Sequence, residues 1–355
     1  MSAKKTASLG RREFLGALGA GALATKSAPA HALEKSYASV SAQLQLIDFH
    51  NHYVDPSFAL TTMAGAPPAL RPYWERVNRN LADSHALLAS IEAAGIAARV
   101  VSTPTAFIAD ADGNVPPGTI ERINDALAKL VSKHPGQLLA LATVDAFSGD
   151  TGARELQRAV RELGLRGVFV ESAKNELLLD APQARPTLNA AAALGIPVFV
   201  HPINDPALAK RLSRYRRLGT QLARGTINAA ALVALLEGAT FDELPNLRVV
   251  VTTLALGGVL LAGGFGDGQR LRSDTPSLAR RHIYIDTMGL HPALIRSAVA
   301  MLGADHVLLG TDWPIFEEKS VPERLQKAFA GCGLGPAEQA MVASGNALRL
   351  LGVRS

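Results

Sequence analysis

The sequence has very little cysteine and no long apolar segment. Its one cysteine, Cys332, cannot form a disulfide within the chain, so an oxidising compartment would add no covalent crosslink to the fold. No uninterrupted apolar run approaches the about 20 residues that a membrane-spanning helix needs. Aromatic residues are scarce at 5%, but 48% of the 355 residues are apolar and 19% are charged. This composition supports a large core and is typical of a globular protein.

The first 32 residues differ in kind from the rest of the chain. A basic start precedes a Gly/Ala/Leu-rich stretch at Phe14–Ala24, and small-residue cleavage patterns follow within Ala28–Ala32. Arg11–Leu15 reads "RREFL" and closely resembles the twin-arginine export signal. An amphipathic first helix is the alternative. We predict a cleaved leader over residues 1–32 and a periplasmic or secreted protein, exported by the twin-arginine type of route.

The chain also lacks a large charge excess once this leader is set aside. The whole sequence has 36 basic and 31 acidic side chains, of which residues 1–32 hold five and one. The remaining 31 basic and 30 acidic side chains nearly balance. The sequence therefore predicts no nucleic-acid partner, and no membrane association after leader cleavage.

Eight short apolar runs alternate with helix-like segments over residues 33–355. Each run is too short for a buried helix and almost continuously apolar, as a parallel strand covered on both faces should be. We predict a single domain of α/β class, a (β/α)₈ TIM barrel of the metal-dependent hydrolase type. A doubly wound open sheet usually has fewer strands, and no Gly-x-Gly-x-x-Gly follows the first run. The predicted strands are Leu44–Phe49, Arg99–Ser102, Leu138–Thr143, Gly167–Val170, Pro197–Val200, Arg248–Thr252, Ile283–Ile285 and Val307–Leu309.

Ligand-type residues stand at the ends of three predicted strands. The first strand ends in His50 and His52, the fifth in His201, and the eighth in Asp312. Because residues i and i+2 of a strand point to the same side, the first two imidazoles should converge. Chemistry in such barrels lies at the carboxyl ends of the strands. The sequence therefore predicts that these four residues bind one divalent ion, Zn²⁺ or a similar metal.

Four motifs resemble one family of metal enzymes. The segments "IDFHNH", "LGIPVFVHP", "LGADHVLLGTDWP" and "GNALRLLG" are similar to those of the amidohydrolase-related superfamily. The nearest branch is the aminocarboxymuconate-semialdehyde decarboxylase-like one, which includes aromatic-acid decarboxylases. The resemblance covers most of Leu44–Gly352 and implies the same ligand set: His50, His52, His201 and Asp312.

One histidine of the family pattern is missing. Relatives usually carry a histidine after strand six, in a segment like His-x-Gly-Gly, where it acts as a base near the metal-bound water. Here that segment reads "LRVVVTTLALGGVL", and alignment on Gly257-Gly258 puts Ala255 at the expected position. No histidine occurs between His201 and His282, so shifting the alignment does not supply one.

Three explanations for this absence stay open at the level of sequence. Another residue could replace the base, and the candidates are His291, after strand seven, and Glu171, at the end of strand four. Alternatively, a decarboxylation that relies on metal Lewis acidity could proceed without that base. Third, the protein could bind a ligand without catalysis.

Other polar and aromatic residues near the strand ends have no assigned role at this stage. Thr252 and Thr253 could hydrogen-bond a water or simply pack in the sheet. Trp313 could line the pocket or pack under a loop, and Asp286 could orient a ligand or a loop. Arginines of the cluster Lys210–Gly219 could bind a substrate carboxylate, although such a cluster is usually a solvated helix face.

The sequence thus predicts a metal-dependent carboxy-lyase that acts on an aromatic or unsaturated carboxylic acid. One alternative is a metal-dependent hydrolase of a lactone, amide or ester, and the other is a catalytically silent exported binding protein. The expected cofactor is one divalent metal, Zn²⁺ by preference with Mn²⁺ as the alternative. The expected partners are a small-molecule carboxylic acid and, by resemblance, a second copy in a homodimer.

Overall fold

A computed structural model describes residues 45–62, 68–110, 114–265, 274–316 and 320–353. The predicted leader, residues 1–32, lies outside the described residues. Within the described part of the chain, short parallel strands alternate with helices around a closed barrel. The strands are β1 (Ile47–His52), β2 (Ala98–Ser102), β3 (Leu138–Ala140), β4 (Ala142–Thr143), β5 (Val168–Glu171), β6 (Ala173–Lys174), β7 (Leu177–Leu178), β8 (Pro197–His201), β9 (Arg248–Val251), β10 (Ile283–Asp286) and β11 (Val307–Leu308).

Two parallel ladders form the barrel wall. One has the order β1-β2-β3, and the other has the order β4-β5-β8-β9-β10-β11. Leu141 links β3 directly to β4 and donates to Val101 O of β2 at 3.0 Å, so the two ladders are continuous on one side. On the other side, Phe49 N donates to Leu309 O at 2.8 Å, so β1 lies beside β11. This closure confirms the (β/α)₈ barrel and excludes the open doubly wound sheet.

The barrel helices follow the strands, as the alternation in the sequence predicts. Amphipathic segments such as "TIERINDALAKLVSK" put an apolar face on the sheet and a charged face towards water. No helix among the described residues is both long enough and apolar enough to cross a membrane. The α-helices are α1 (Arg71–Leu81), α2 (Ser84–Ala94), α3 (Thr119–Lys133), α4 (Asp150–Arg161), α5 (Arg185–Leu194), α6 (Pro206–Leu212), α7 (Arg216–Glu237), α8 (Thr240–Glu243), α9 (Leu256–Phe265), α10 (Thr275–His282), α11 (Pro292–Leu302), α12 (Val321–Cys332), α13 (Pro336–Ala340) and α14 (Asn346–Leu350).

The eight predicted strand positions are all present, with shifts at their ends. The largest shift concerns the first strand, which continues through His52 instead of ending at Phe49. The reason is pairing, because Asn51 and His52 stand opposite Val101 and Ser102 of β2. The third predicted strand is divided into β3 and β4, and the antiparallel pair β6–β7 was not predicted.

An apolar layer fills the barrel interior beneath the carboxyl ends of the strands. Phe49 and Phe199 meet edge to face with ring centroids 5.7 Å apart, and Phe169 packs 6.0 Å from Phe199. All three side chains are buried. The ring of Phe199 also lies 4.9 Å from that of His50, so this layer is the floor on which the polar residues stand.

Candidate metal centre

The four predicted ligands converge at the carboxyl end of the barrel. His50 and His52 come from β1, His201 ends β8, and Asp312 lies in the turn after β11. All four residues are buried, and one ligand atom from each lies within 4.8 Å of the others. The β1–β2 register shifts between Asp48 and Asn51, an irregularity of the kind that often lies next to functional sites. Asp312 has a φ of 64°, a left-handed conformation that aspartate tolerates better than most side chains.

Three buried ligand atoms have no hydrogen-bond partner among the described residues. These atoms are His50 Nε2, His52 Nε2 and Asp312 Oδ1. Asp312 Oδ1 lies 3.1 Å from His52 Nε2 and 3.4 Å from His50 Nε2, so the three atoms face one another. A buried polar atom left unsatisfied costs on the order of 1–3 kcal/mol. One divalent cation would satisfy all three atoms, so the residues present fit the predicted metal.

The electrostatics of two of the four ligands agree with metal binding. Burial, with help from His52 and Arg224, lowers the pKa of His201 well below its ordinary value. Burial alone would raise the pKa of Asp312, but the nearby His50 and His52 outweigh it and lower that pKa. A metal requires neutral imidazole and ionised carboxylate ligands. These two groups are therefore in the protonation states that coordination needs.

Asp286 holds His50 in position from the side away from the metal centre. Its Oδ2 lies 2.6 Å from His50 Nδ1, while its Oδ1 accepts hydrogen bonds from Thr253 N at 2.8 Å and Met288 N at 3.1 Å. An Nδ1–H donated to this carboxylate leaves the lone pair of Nε2 directed at the centre. Asp286 therefore fills both roles left open for it: it orients the ligand His50, and it holds the backbone amides of two neighbouring loops.

Thr253 lies just after β9, the sixth strand of the barrel, and faces the Asp286 carboxylate. Its hydroxyl donates to Asp286 and lies 2.9 Å from Asp286 Oδ1. The side chain of Ala255, the residue expected there from the glycine alignment, is instead buried in the apolar layer outside the barrel. The strand-six position near the centre therefore holds a hydroxyl already engaged with a carboxylate, and no imidazole.

Glu171 lies close to the centre, on a neighbouring strand. It ends β5 and pairs in register with His201. Its Oε1 accepts hydrogen bonds from Thr105 Oγ1 at 2.6 Å and Ala106 N at 3.3 Å. Burial raises the pKa of this carboxyl group. It also lines a cavity of about 280 Å³ between the loops that follow β2, β4 and β5.

His291 lies apart from these residues and has a local structural role. It is exposed and stands at the N-cap of α11, where its Nδ1 accepts a hydrogen bond from Ala293 N at 3.2 Å. Helix capping accounts for this position, because the first amides of a helix lack partners within the helix. The structure therefore does not bring the second candidate base to the metal centre.

The other sequence candidates also have definite places. Trp313 is buried in the core with the Arg99 guanidinium 5.5 Å from its ring centroid, so it packs in the barrel wall. Most of the Lys210–Gly219 cluster is exposed, as a solvated helix face would be. One of its arginines, Arg217, lies 4.5 Å from the ring centroid of Phe316.

Arg224, a residue not predicted from the sequence, approaches the centre from α7. Its Nη2 lies 3.5 Å from His201 Nε2, and its Nη1 lies 3.3 Å from Asn204 Oδ1. One turn further along the same helix face, Asn228 donates to Val200 O at 3.0 Å and accepts from Thr252 Oγ1 at 2.8 Å. Two polar residues spaced i, i+4 on a helix otherwise rich in alanine and leucine are the signal that could have identified this face.

Comparisons with known proteins agree with this architecture. The model of the family described as amidohydrolase matches residues 47–353. Gamma-resorcylate decarboxylase of Rhizobium sp. (strain MTP-10005) is 26% identical over 324 residues, which are 86% of this chain and 97% of the relative. The 2-amino-3-carboxymuconate-6-semialdehyde decarboxylase of Dictyostelium discoideum is 27% identical over 239 residues, which are 65% of this chain and 66% of the relative. A dihydroxybenzoic acid decarboxylase from Polaromonas sp. JS666, solved with bound manganese and the inhibitor 2-nitroresorcinol, superposes with a TM-score of 0.72 at 24% identity. That superposition covers 87% of this chain and 97% of the solved one.

Proposed function

The chain belongs to the amidohydrolase family, and from that premise we propose that it is a metal-dependent carboxy-lyase of an aromatic or unsaturated carboxylic acid. The observation that carries the proposal is the trio of buried, unpartnered ligand atoms on His50, His52 and Asp312. Both curated relatives described above are decarboxylases of unsaturated or aromatic acids, as expected for the predicted branch.

The geometry supports decarboxylation better than hydrolysis. A divalent metal held by the four ligands would supply Lewis acidity, which stabilises negative charge developing on a bound substrate. Hydrolysis additionally needs a base that activates water. The strand-six position offers no such base, because the Thr253 hydroxyl donates to Asp286 and Ala255 faces the core.

Glu171 is the residue we assign to the proton that decarboxylation requires. When the carbon–carboxylate bond breaks, CO₂ leaves, and the electron pair stays on carbon and must take up a proton. The Glu171 carboxyl stands at the end of the strand that pairs with His201, and Thr105 Oγ1 holds it at 2.6 Å. In its acid form it would deliver that proton at the carbon that loses CO₂.

A direct assay tests this function. The purified protein, loaded with Zn²⁺ or Mn²⁺, is incubated with a panel of hydroxylated benzoic acids and unsaturated dicarboxylic acids, and released CO₂ is measured. We expect CO₂ and the matching decarboxylated product from at least one acid, and none from an Asp312→Ala/His50→Ala control. Absence of CO₂ with every acid, in protein shown to hold metal, would support the catalytically silent binder instead.

The identity of the metal is a separate proposal. Three imidazoles and one carboxylate suit Zn²⁺, whereas the solved Polaromonas relative holds manganese. We propose one equivalent of either ion per chain. Elemental analysis of the purified protein beside the Asp312→Ala/His50→Ala control would identify it, and a metal content equal in both would contradict the site.

We also propose that the protein is exported and that it forms a homodimer. The "RREFL" segment and the small residues after it support cleavage near residue 32 and a periplasmic or secreted location. N-terminal sequencing of the protein from its host tests this.

Pairing as a homodimer is supported by apolar side chains exposed at the start of α7, Leu218 at 73% and Leu222 at 57%. Light scattering of wild type and a Leu218→Glu/Leu222→Glu variant tests that interface.

A further inference from the structure

Arg224 is a cation at the metal centre without an anionic partner among the described residues. Its contacts there are His201 Nε2 at 3.5 Å and Asn204 Oδ1 at 3.3 Å, and neither partner is a carboxylate. Burial lowers the pKa of its guanidinium, and Asp312 and Glu171 oppose that effect from a distance without forming an ion pair. A partly buried guanidinium of this kind gains most from an anion that can accept two hydrogen bonds.

The helix that carries Arg224 fixes the side chain's direction. Asn228, one turn later, is buried and hydrogen-bonds Val200 O and Thr252 Oγ1, which ties this part of α7 to the ends of β8 and β9. Residues spaced i, i+4 share a helix face. Arg224 therefore faces the same strand ends that carry the metal ligands.

Other arginines near the centre are already engaged. Arg99 is buried and contacts the Asp48 carboxylate in the barrel wall. Arg217 lies over the ring of Phe316 and is exposed at the start of α7. Arg224 thus combines proximity to a metal ligand with the absence of a carboxylate partner in the described structure.

We propose that Arg224 binds the carboxylate of the substrate and orients it at the metal centre. This assignment rests on the proposed function in one respect, namely that the substrate is a carboxylic acid. A cation on the carboxylate that departs as CO₂ stabilises the bound substrate at least as much as the transition state. The contribution of Arg224 should therefore appear in substrate binding and KM more than in kcat.

Calorimetric titration with a charged and an uncharged probe tests the assignment without relying on turnover. The probes are 2,6-dihydroxybenzoate and 2,6-dihydroxybenzamide, titrated into Mn²⁺-loaded wild type, Arg224→Gln, Arg224→Lys and the exposed control Arg211→Gln. For Arg224→Gln we expect benzoate affinity to fall about 10- to 100-fold, the usual effect of losing a charge-assisted hydrogen-bonded pair. Benzamide affinity and metal content should not change, Arg224→Lys should restore part of the loss, and Arg211→Gln should match wild type.

Three outcomes overturn the proposal. They are equal weakening of both probes in Arg224→Gln, unchanged benzoate affinity in that variant, and a wild type that binds benzoate no more tightly than benzamide. Failure of the proposed function gives a different pattern. In that case, wild type prefers the benzoate and loses this preference in Arg224→Gln, yet releases no CO₂ from any acid. With any acid that is turned over, Arg224→Gln should raise KM and leave kcat nearly unchanged.

Discussion

The guanidinium of Arg99 contacts the carboxylate of Asp48 inside the barrel wall, where both side chains are shielded from water. The same carboxylate accepts hydrogen bonds from Thr311 N at 3.0 Å and His50 N at 3.2 Å. Arg99 also donates to Asn51 Oδ1 at 2.6 Å. This buried pair therefore joins the strand that carries His50 and His52 to the turn that carries Asp312.

Removing one member of this pair should destabilise the fold strongly. Arg99→Met leaves the Asp48 carboxylate buried without its counter-ion, a change that typically costs about 3–5 kcal/mol. The free energy of unfolding, from urea denaturation followed by circular dichroism, measures the loss. Lys174→Met is the control, because the pair of Lys174 with Asp145 is partly exposed to solvent, and we expect a loss of about 1 kcal/mol or less. Equal losses in the two variants would contradict the role given to Arg99.

Asp286 should control metal affinity without touching the metal. Asp286→Asn weakens the acceptor of His50 Nδ1–H and frees the ring to turn, and loss of such a partner typically costs 10- to 100-fold in metal affinity. Competition with a chelating dye measures the dissociation constant. Thr253→Val, which removes one donor to Asp286 and keeps the carboxylate, should cost less. An Asp286→Asn variant with wild-type affinity would show that His50 is oriented by other contacts.

Substitutions of Glu171 and His291 should have different effects, the first on kcat and the second on stability. For Glu171→Gln we expect a fall in kcat of the order of 10²- to 10⁴-fold, the usual effect of removing a general acid, with metal content unchanged. His291→Ala should leave kcat unchanged and lower stability by about 1 kcal/mol, because the helix loses a cap. Steady-state rates and urea denaturation of both variants provide the two measurements. Wild-type kcat in Glu171→Gln would refute its assignment as proton donor.

The metal ligands are predictable from the sequence because barrel topology brings the strand ends together. Once the eight strands are recognised, their carboxyl ends must meet, and His50, His201 and Asp312 follow from their positions along the chain. Side chains that approach from a helix or turn are harder to place. Arg224 depends on how α7 packs over β8 and β9. Whether Thr253 or Ala255 faces the centre depends on the backbone path after β9, which alignment on two glycines cannot give.

Two histidines remote from the metal centre should make the fold sensitive to acid. His282 stacks on Phe241 with Nδ1 2.8 Å from Leu247 O, and His306 stacks on Tyr284 with Nδ1 2.7 Å from Ile283 O. Burial lowers the pKa of both imidazoles below the ordinary value of 6.5. The unfolded chain therefore binds protons at a higher pH than the folded one. The stability from the neutral rings is complete above pH 6.5 and is lost as pH falls through their folded-state pKa.

A glutamine at position 306 isolates this contribution, because its amide can still donate to Ile283 O but does not titrate in this range. At pH 8, where the neutral ring is fully stabilising, we expect His306→Gln to be about 1 kcal/mol less stable than wild type. Between pH 8 and pH 5, the free energy of unfolding of the variant should fall by less than that of wild type. Urea denaturation at several pH values measures how the free energy of unfolding of each protein changes with pH. The protein is first treated with a chelator, so that metal release does not contribute. His134→Gln replaces a partly exposed imidazole just after α3, and this matched control should keep the wild-type dependence of stability on pH. If His306→Gln and wild type lost stability in parallel as pH fell, the acid sensitivity would have to come from other groups. The first of these to test is the ligand imidazole of His201, because burial lowers its pKa as well.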